Sequence, residues 1–149
     1  MAFQLTSTAF QHGQTIPKRH TGDGADLSPP LQWTEPPQGT KSLALVCDDP
    51  DAPRGTWTHW IALNIPVDWR ALAEGIQLPD HITQTTTDFG TPGYGGPAPP
   101  PGKPHRYFFR LYALDRPLSL TAKATIQEVH AAIKAHTIGM AELMGTYQR

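Results

Sequence analysis

The sequence predicts a mainly β, α+β fold in one domain spanning residues 1–149, with a single helix close to the C-terminus. Three observations carry that reading. Sixteen prolines and thirteen glycines interrupt any long helix over most of the chain. Residues 42–47, 57–65 and 105–114 have the length and apolar content of strands. Only the stretch after Thr125 repeats its apolar residues at helical spacing.

The elements follow in order. Residues 12–40 are crowded with turn formers, including Gly13, Pro17, Gly22, Gly24, Pro29 and Pro30, and leave room for one short strand at 31–33. Ser42-Leu43-Ala44-Leu45-Val46-Cys47 is a short unbroken apolar run, the mark of a strand buried on both faces. Pro50 and Pro53 stop it, because neither helix nor strand continues through them. In 57–65, alternation puts Trp57, His59, Ile61, Leu63 and Ile65 on one face and Thr58, Trp60, Ala62 and Asn64 on the other. Residues 67–104 read as an irregular but ordered loop, since strong strands flank it. In 105–114, His105 and Tyr107 share a face and Arg106 and Phe108 share the opposite one. Thr125 and Glu128 form a capping box, and Ile126, Val129 and Ile133 extend a helix over 126–136. A last strand is expected at 141–147.

A net charge of −1 gives no bulk attraction to nucleic acid or to an anionic membrane, so any anion must be held by a local site. The single cysteine, Cys47, allows no internal disulfide. The first residues lack the basic and apolar regions of a secretory leader, and no apolar run reaches the ~20 residues of a membrane span. A cytoplasmic location is expected.

Chemistry concentrates in a few residues. Asp49 and Asp51 sit in a proline-stiffened turn at a strand end. Both also suit capping of the turn's own amides, and for Asp51 that is the stronger reading. His59 and His105 alone are a core histidine and a strand-start residue. Beside one carboxylate they become two imidazoles able to hold a proton and donate to an anion. The carboxylate is also suited to an ammonium group on the same ligand. Gly93, Tyr94, Gly95 and Gly96 offer backbone amides for an anion nest, against the plainer alternative of a tight loop. Gly93, Gly95 and Ala98 nominally fit a dinucleotide fingerprint, but the following prolines exclude the helix it must open. Two histidines and an aspartate are also a common zinc or iron ligand set, here without a paired-ligand spacing. Acyl transfer has no serine elbow, and Cys47 lies in an apolar run where thiols are inert.

Taken together, these blocks resemble the phosphatidylethanolamine-binding protein family, also called the Raf-kinase-inhibitor-like family, in its short bacterial and archaeal branch. The resemblance rests on Asp49-Pro50-Asp51-Ala52-Pro53, His59-Trp60, Gly93-Tyr94-Gly95-Gly96-Pro97 with Pro99-Pro100, and His105-Arg106-Tyr107 leading into Leu111-Tyr112-Ala113-Leu114-Asp115. Flanking blocks at 28–33, 39–45 and 141–147 agree, so it covers nearly the whole chain in order. It implies a large antiparallel sheet packed on a smaller one, a peripheral helix, and often a cis peptide near the pocket. It implies a small pocket for phosphate, acetate or phosphoethanolamine made by Asp49, His59, His105 and Tyr107. Residues 93–97 would form the rim and the Trp57 region one wall. Arg106, facing the other way, reads as a structural ion-pair residue.

The resemblance further implies a binding or regulatory protein without catalysis or cofactor, in some relatives an inhibitor of a protease or kinase, and often a homodimer. A metal-assisted hydrolase built on the same three side chains is the enzyme alternative. The chain departs from the family at Gly22 and Ala98, where many relatives carry cysteine, and it lacks the C-terminal extension of the longer eukaryotic members.

Overall fold

Two antiparallel sheets organise the computed structural model, which describes residues 2–149. The strands in chain order are β1 (Leu5–Thr6), β2 (Leu31–Trp33), β3 (Ser42–Asp49), β4 (Trp57–Ile65), β5 (Ala71–Leu72), β6 (Thr83–Gln84), β7 (His105–Leu114) and β8 (Thr137–Tyr147). The helix α1 (Ile126–His136) precedes the last strand, and a 3-10 turn occupies Lys18–His20. The larger sheet runs β6-β4-β3-β7-β8 and the smaller β1-β2-β5.

Strand β3 lies at the centre of the larger sheet and is buried at all eight positions, as its unbroken apolar run requires. One face, with Leu43, Leu45, Cys47 and Phe109, packs against Leu5, Leu31, Trp33 and Leu72 of the smaller sheet. The other, with Ala44, Val46, Ile61 and Leu63, is covered by Val129 and Ile133 of α1. The helix begins at the expected cap: Thr125 Oγ1 accepts the Glu128 N–H, and the Glu128 carboxylate accepts the Thr125 N–H.

Strict alternation fails twice in β4. Cys47 pairs with Trp60 but Asp48 pairs with Thr58, so His59 is the extra residue of a β-bulge. His59 and Trp60 therefore do not face apart as expected. Trp60 stands opposite Cys47 in the inter-sheet core, and His59 packs edge-on against Tyr107 of the same face. The second irregularity lies where Leu45 pairs with Ala62 and Leu43 with Ile65. There Asn64 adopts φ 63°, and Ile65 joins the inter-sheet core while Leu63 faces the helix.

Other expectations are adjusted. Strand β8 starts at Thr137, directly after α1, and continues through Gly139 along β7. A side chain at position 139 would run into Pro37, so glycine permits the close approach. The loop over 67–104 contains the two-residue strands β5 and β6. Every peptide bond among the described residues is trans, where the resemblance implied a cis bond. No helix among them is long and apolar enough to cross a membrane.

Candidate functional site

Antiparallel pairing brings the C-terminal end of β3 beside the N-terminal ends of β4 and β7. Asp49, His59, His105 and Tyr107 thereby meet on one side of the larger sheet, at the floor of a cavity of about 230 Å³. The bulge at His59 delivers its ring to the face that carries Tyr107. All four residues are buried.

Asp49 fulfils both of its candidate roles. One carboxylate oxygen accepts the Asp51 N–H at 2.7 Å, stiffening the turn, and the other lies 2.6 Å from His105 Nδ1. That contact makes Nδ1 the protonated nitrogen and leaves Nε2 as the second ring atom available to a ligand. Asp51 does not cap the turn. Its carboxylate accepts from the Arg106 backbone N–H and, through two oxygens, from Nε and Nη2 of the same guanidinium, all at 2.9 Å. These bonds to Arg106 hold its pKa down at about 2. Arg106 is thus an ion-pair residue on the outer face and docks the 50–53 turn onto β7.

The His59 ring is held differently. His59 Nδ1 lies 2.6 Å from the Gly95 carbonyl, which only accepts, so Nδ1 carries the hydrogen. Burial pushes the His59 pKa down, against the opposing pull of the Gly95 carbonyl and the Asp49 charge. His59 is therefore neutral at neutral pH and presents an acceptor at Nε2. The expectation that both rings hold a proton is corrected for His59, because β4 buries it in the sheet. Burial, reinforced by the Asp49 charge, pushes the Tyr107 phenol well above its ordinary range, so it keeps its proton.

The structure places residues 93–97 behind the cavity wall, not along it. Gly95 exchanges two hydrogen bonds with His59: its N–H donates to the His59 carbonyl and its carbonyl accepts from the ring. Gly96 N–H donates to Asp26 at 2.8 Å, and the Pro97 carbonyl accepts the Gly22 N–H at 2.8 Å. Tyr94 packs edge-on against Trp60 and donates its hydroxyl to the His20 carbonyl at 2.6 Å. Gly93 provides the left-handed turn at φ 105°. The amides of Gly95 and Gly96, expected as an anion nest, are spent on holding the loop to His59 and Asp26. The departures at Gly22 and Ala98 are neighbours: a Cβ at position 22 would stand 3.2 Å from the Ala98 Cβ.

The walls come from residues that sequence reasoning did not assign to the site. Ala52, Pro53, Ala98, Pro99 and Pro100 all line the cavity. Trp57, expected as a wall, is joined by Phe89. The prolines lie inside recognisable motif blocks that carry no information on direction. Phe89 is a lone aromatic in a non-periodic loop and gives no signal at all. Among the described residues, no group of three or more His, Cys, Asp or Glu side chains is arranged to hold a metal ion. Asp49 and both Nδ1 atoms are already committed to protein partners.

Comparison with known proteins agrees with the resemblance. The family model described as phosphatidylethanolamine-binding protein matches residues 6–148. A UPF0098 protein of Methanothermobacter thermautotrophicus is 50% identical over 97% of this chain and 98% of its own length. A UPF0098 protein of Aquifex aeolicus is 42% identical over 98% of this chain and 88% of its own. Among solved structures, a phosphatidylethanolamine-binding protein homologue of Chlamydia trachomatis superposes with a TM-score of 0.92 at 42% identity, covering 99% of this chain and 98% of that one. YbcL of Escherichia coli, described as a member of the mammalian family, gives 0.93 at 34% identity over 100% and 99%.

Proposed function

The chain belongs to the phosphatidylethanolamine-binding protein family, and on that premise we propose that it is a non-catalytic binding protein whose cavity accepts a small anion of the phosphate-monoester type. The observation that carries this reading is the buried Asp49–His105 contact at 2.6 Å on the cavity floor. An imidazole held between a carboxylate and a bound oxyanion donates from both nitrogens, through Nδ1 to Asp49 and through Nε2 to the anion. Tyr107 supplies a second donor, while neutral His59 supplies an acceptor. Two donors and one acceptor suit a tetrahedral oxyanion that still carries one hydroxyl. A chain of net charge −1 attracts such an ion only through a local arrangement of this kind.

The family match supports the non-catalytic part of the reading. Cys47 is buried, and burial raises its thiol well above the reactive range.

Titration calorimetry with inorganic phosphate and with phosphoethanolamine, at pH 6 and pH 8, tests the reading. Saturable binding that disappears in His105→Ala supports it. Absence of heat at both pH values, or binding untouched by the substitution, would remove the anion assignment.

A further inference from the structure

The run 98–101 lines the cavity through Ala98, Pro99 and Pro100, yet makes no hydrogen bond to the rest of the described residues. Its three prolines lack N–H donors and restrict the backbone, so fixing the two ends fixes its course. At one end the Pro97 carbonyl accepts the Gly22 N–H at 2.8 Å. At the other, the Gly102 carbonyl accepts from Gln148 Nε2 at 2.6 Å, and the Gly102 N–H donates to the main-chain oxygen of Arg149 at 3.4 Å. Gln148 and Arg149 lie beyond the last paired residue of β8, so no strand holds them. Asp23 does. Arg149 Nη2 and Nε donate to its Oδ1 at 2.7 and 3.0 Å, and the Tyr147 hydroxyl donates to Oδ2 at 2.8 Å. The bonds from Arg149 and then Tyr147 hold the Asp23 carboxyl below its ordinary range. Asp23 stands on a firm base: its N–H donates to Thr21 Oγ1, and Thr21 is fully buried. It also follows Gly22, the anchor of the other end, so both ends of the run converge on one turn.

We propose that Asp23 and Arg149 are positioning residues: their ion pair closes a circuit, from Gly22 through 97–102 and 148–149 back to Asp23, that fixes the proline wall in its ligand-ready place. This rests on the anion reading of the cavity. Neither residue lines the cavity, and neither belongs to the packed cores on the two faces of the larger sheet. An exposed ion pair contributes little to global stability, so its loss frees the 148–149 segment and the Gly102 end while the sheets stay packed. A wall that moves in the free protein must be ordered on binding, and that cost is subtracted from affinity. The circuit orders the wall before a ligand arrives.

The test measures NMR order parameters of the Ala98 and Gly102 amides, melting temperature, and calorimetric affinity for phosphoethanolamine in the wild type, Asp23→Ala, Arg149→Ala and the double variant. Both amides should lie near the ~0.85 of rigid backbone in the wild type and fall below about 0.6 in each single variant. Affinity should weaken about three- to tenfold in each single variant. The double variant should lose no more than either, because both substitutions open the same circuit. Melting temperature should stay within about 3 °C, as for any exposed ion pair. Asp115→Ala, which breaks exposed contacts with Arg116 and His136 at the opposite end of β7, is the control and should change neither order parameters nor affinity. Unchanged order parameters in both single variants overturn the proposal, as does a loosened wall with undiminished affinity. A melting temperature that falls further in both variants assigns the pair a global structural role and also overturns it. Failure of the wild type to bind phosphoethanolamine or inorganic phosphate removes the anion reading, and the order parameters then decide the circuit by themselves.

Discussion

A methyl group added at Gly96 tests whether residues 93–97 act as the scaffold of the site. A Cβ there would lie 2.5 Å from Asp26 Oδ1, 2.9 Å from the Thr21 Cα, and closer still to the His20 carbonyl. Two of those neighbours are backbone and have no rotamer into which to escape. The loop must therefore move, and overpacking of this kind costs about 1–3 kcal/mol. Movement also breaks the Gly96 N–H···Asp26 bond, leaving a buried donor unpaired for about 1 kcal/mol or more. The sum for Gly96→Ala is about 2–4 kcal/mol, a large share of the 5–15 kcal/mol typical of a domain. In a chain of this length it corresponds to a fall in melting temperature of roughly 6–13 °C. Because Gly95 is bonded twice to His59, displacement should also weaken phosphate binding. Urea unfolding and calorimetry read both effects. Gly13→Ala is the control: φ is 84° but nothing lies within 4 Å, so only the left-handed backbone cost of about 1–2 kcal/mol applies. Gly96→Ala no more destabilising than Gly13→Ala would refute the scaffold argument.

Two further outcomes follow from the same geometry. The His59 pKa lies below that of the unfolded chain, so the folded state binds fewer protons in the window between the two values. Its contribution is complete above about pH 6.5, the unfolded value, and is lost as pH falls through the depressed folded value, at about 1.4 kcal/mol per unit of separation. His59→Asn removes this titration, so stability curves of variant and wild type between pH 5 and 7.5 should diverge on acidification; parallel curves would contradict it. Asn64 holds both backbone groups of Leu118 at 2.8 Å while sitting at φ 63°. Asn64→Gly should cost about 2 kcal/mol for two lost bonds, and Asn64→Ala about 1 kcal/mol more for the left-handed backbone, an order checked by chemical denaturation.

Asp49 and His105 stood out as site candidates because they sit at strand ends beside Pro50 and Pro104, where element boundaries are sharp; His59 and Tyr107 lie inside their strands, and Tyr107 came through the resemblance alone. Strands 57–65 and 105–114 and helix 126–136 match their sequence limits, since long periodic runs with strong caps leave little freedom. Strands β1, β5 and β6 were not legible, because two residues carry no periodicity. The bulge that puts His59 and Trp60 on one side was equally hidden: it depends on the register between β3 and β4, a property of two segments together.

The sequence by itself determined which side chains could supply charge and protons, and which of the longer segments would be strands, because local periodicity and turn chemistry act within a few residues. Tertiary structure alone decided what each of them does. Burial in β4 makes His59 a neutral acceptor, and Asp51 reaches across to Arg106 on β7. The Gly95 and Gly96 amides, expected as ligand donors, are taken up by the His59 carbonyl and Asp26 instead. Phe89 becomes a wall of the cavity through contacts with residues 30 or more positions away, about which its own neighbours in the chain say nothing.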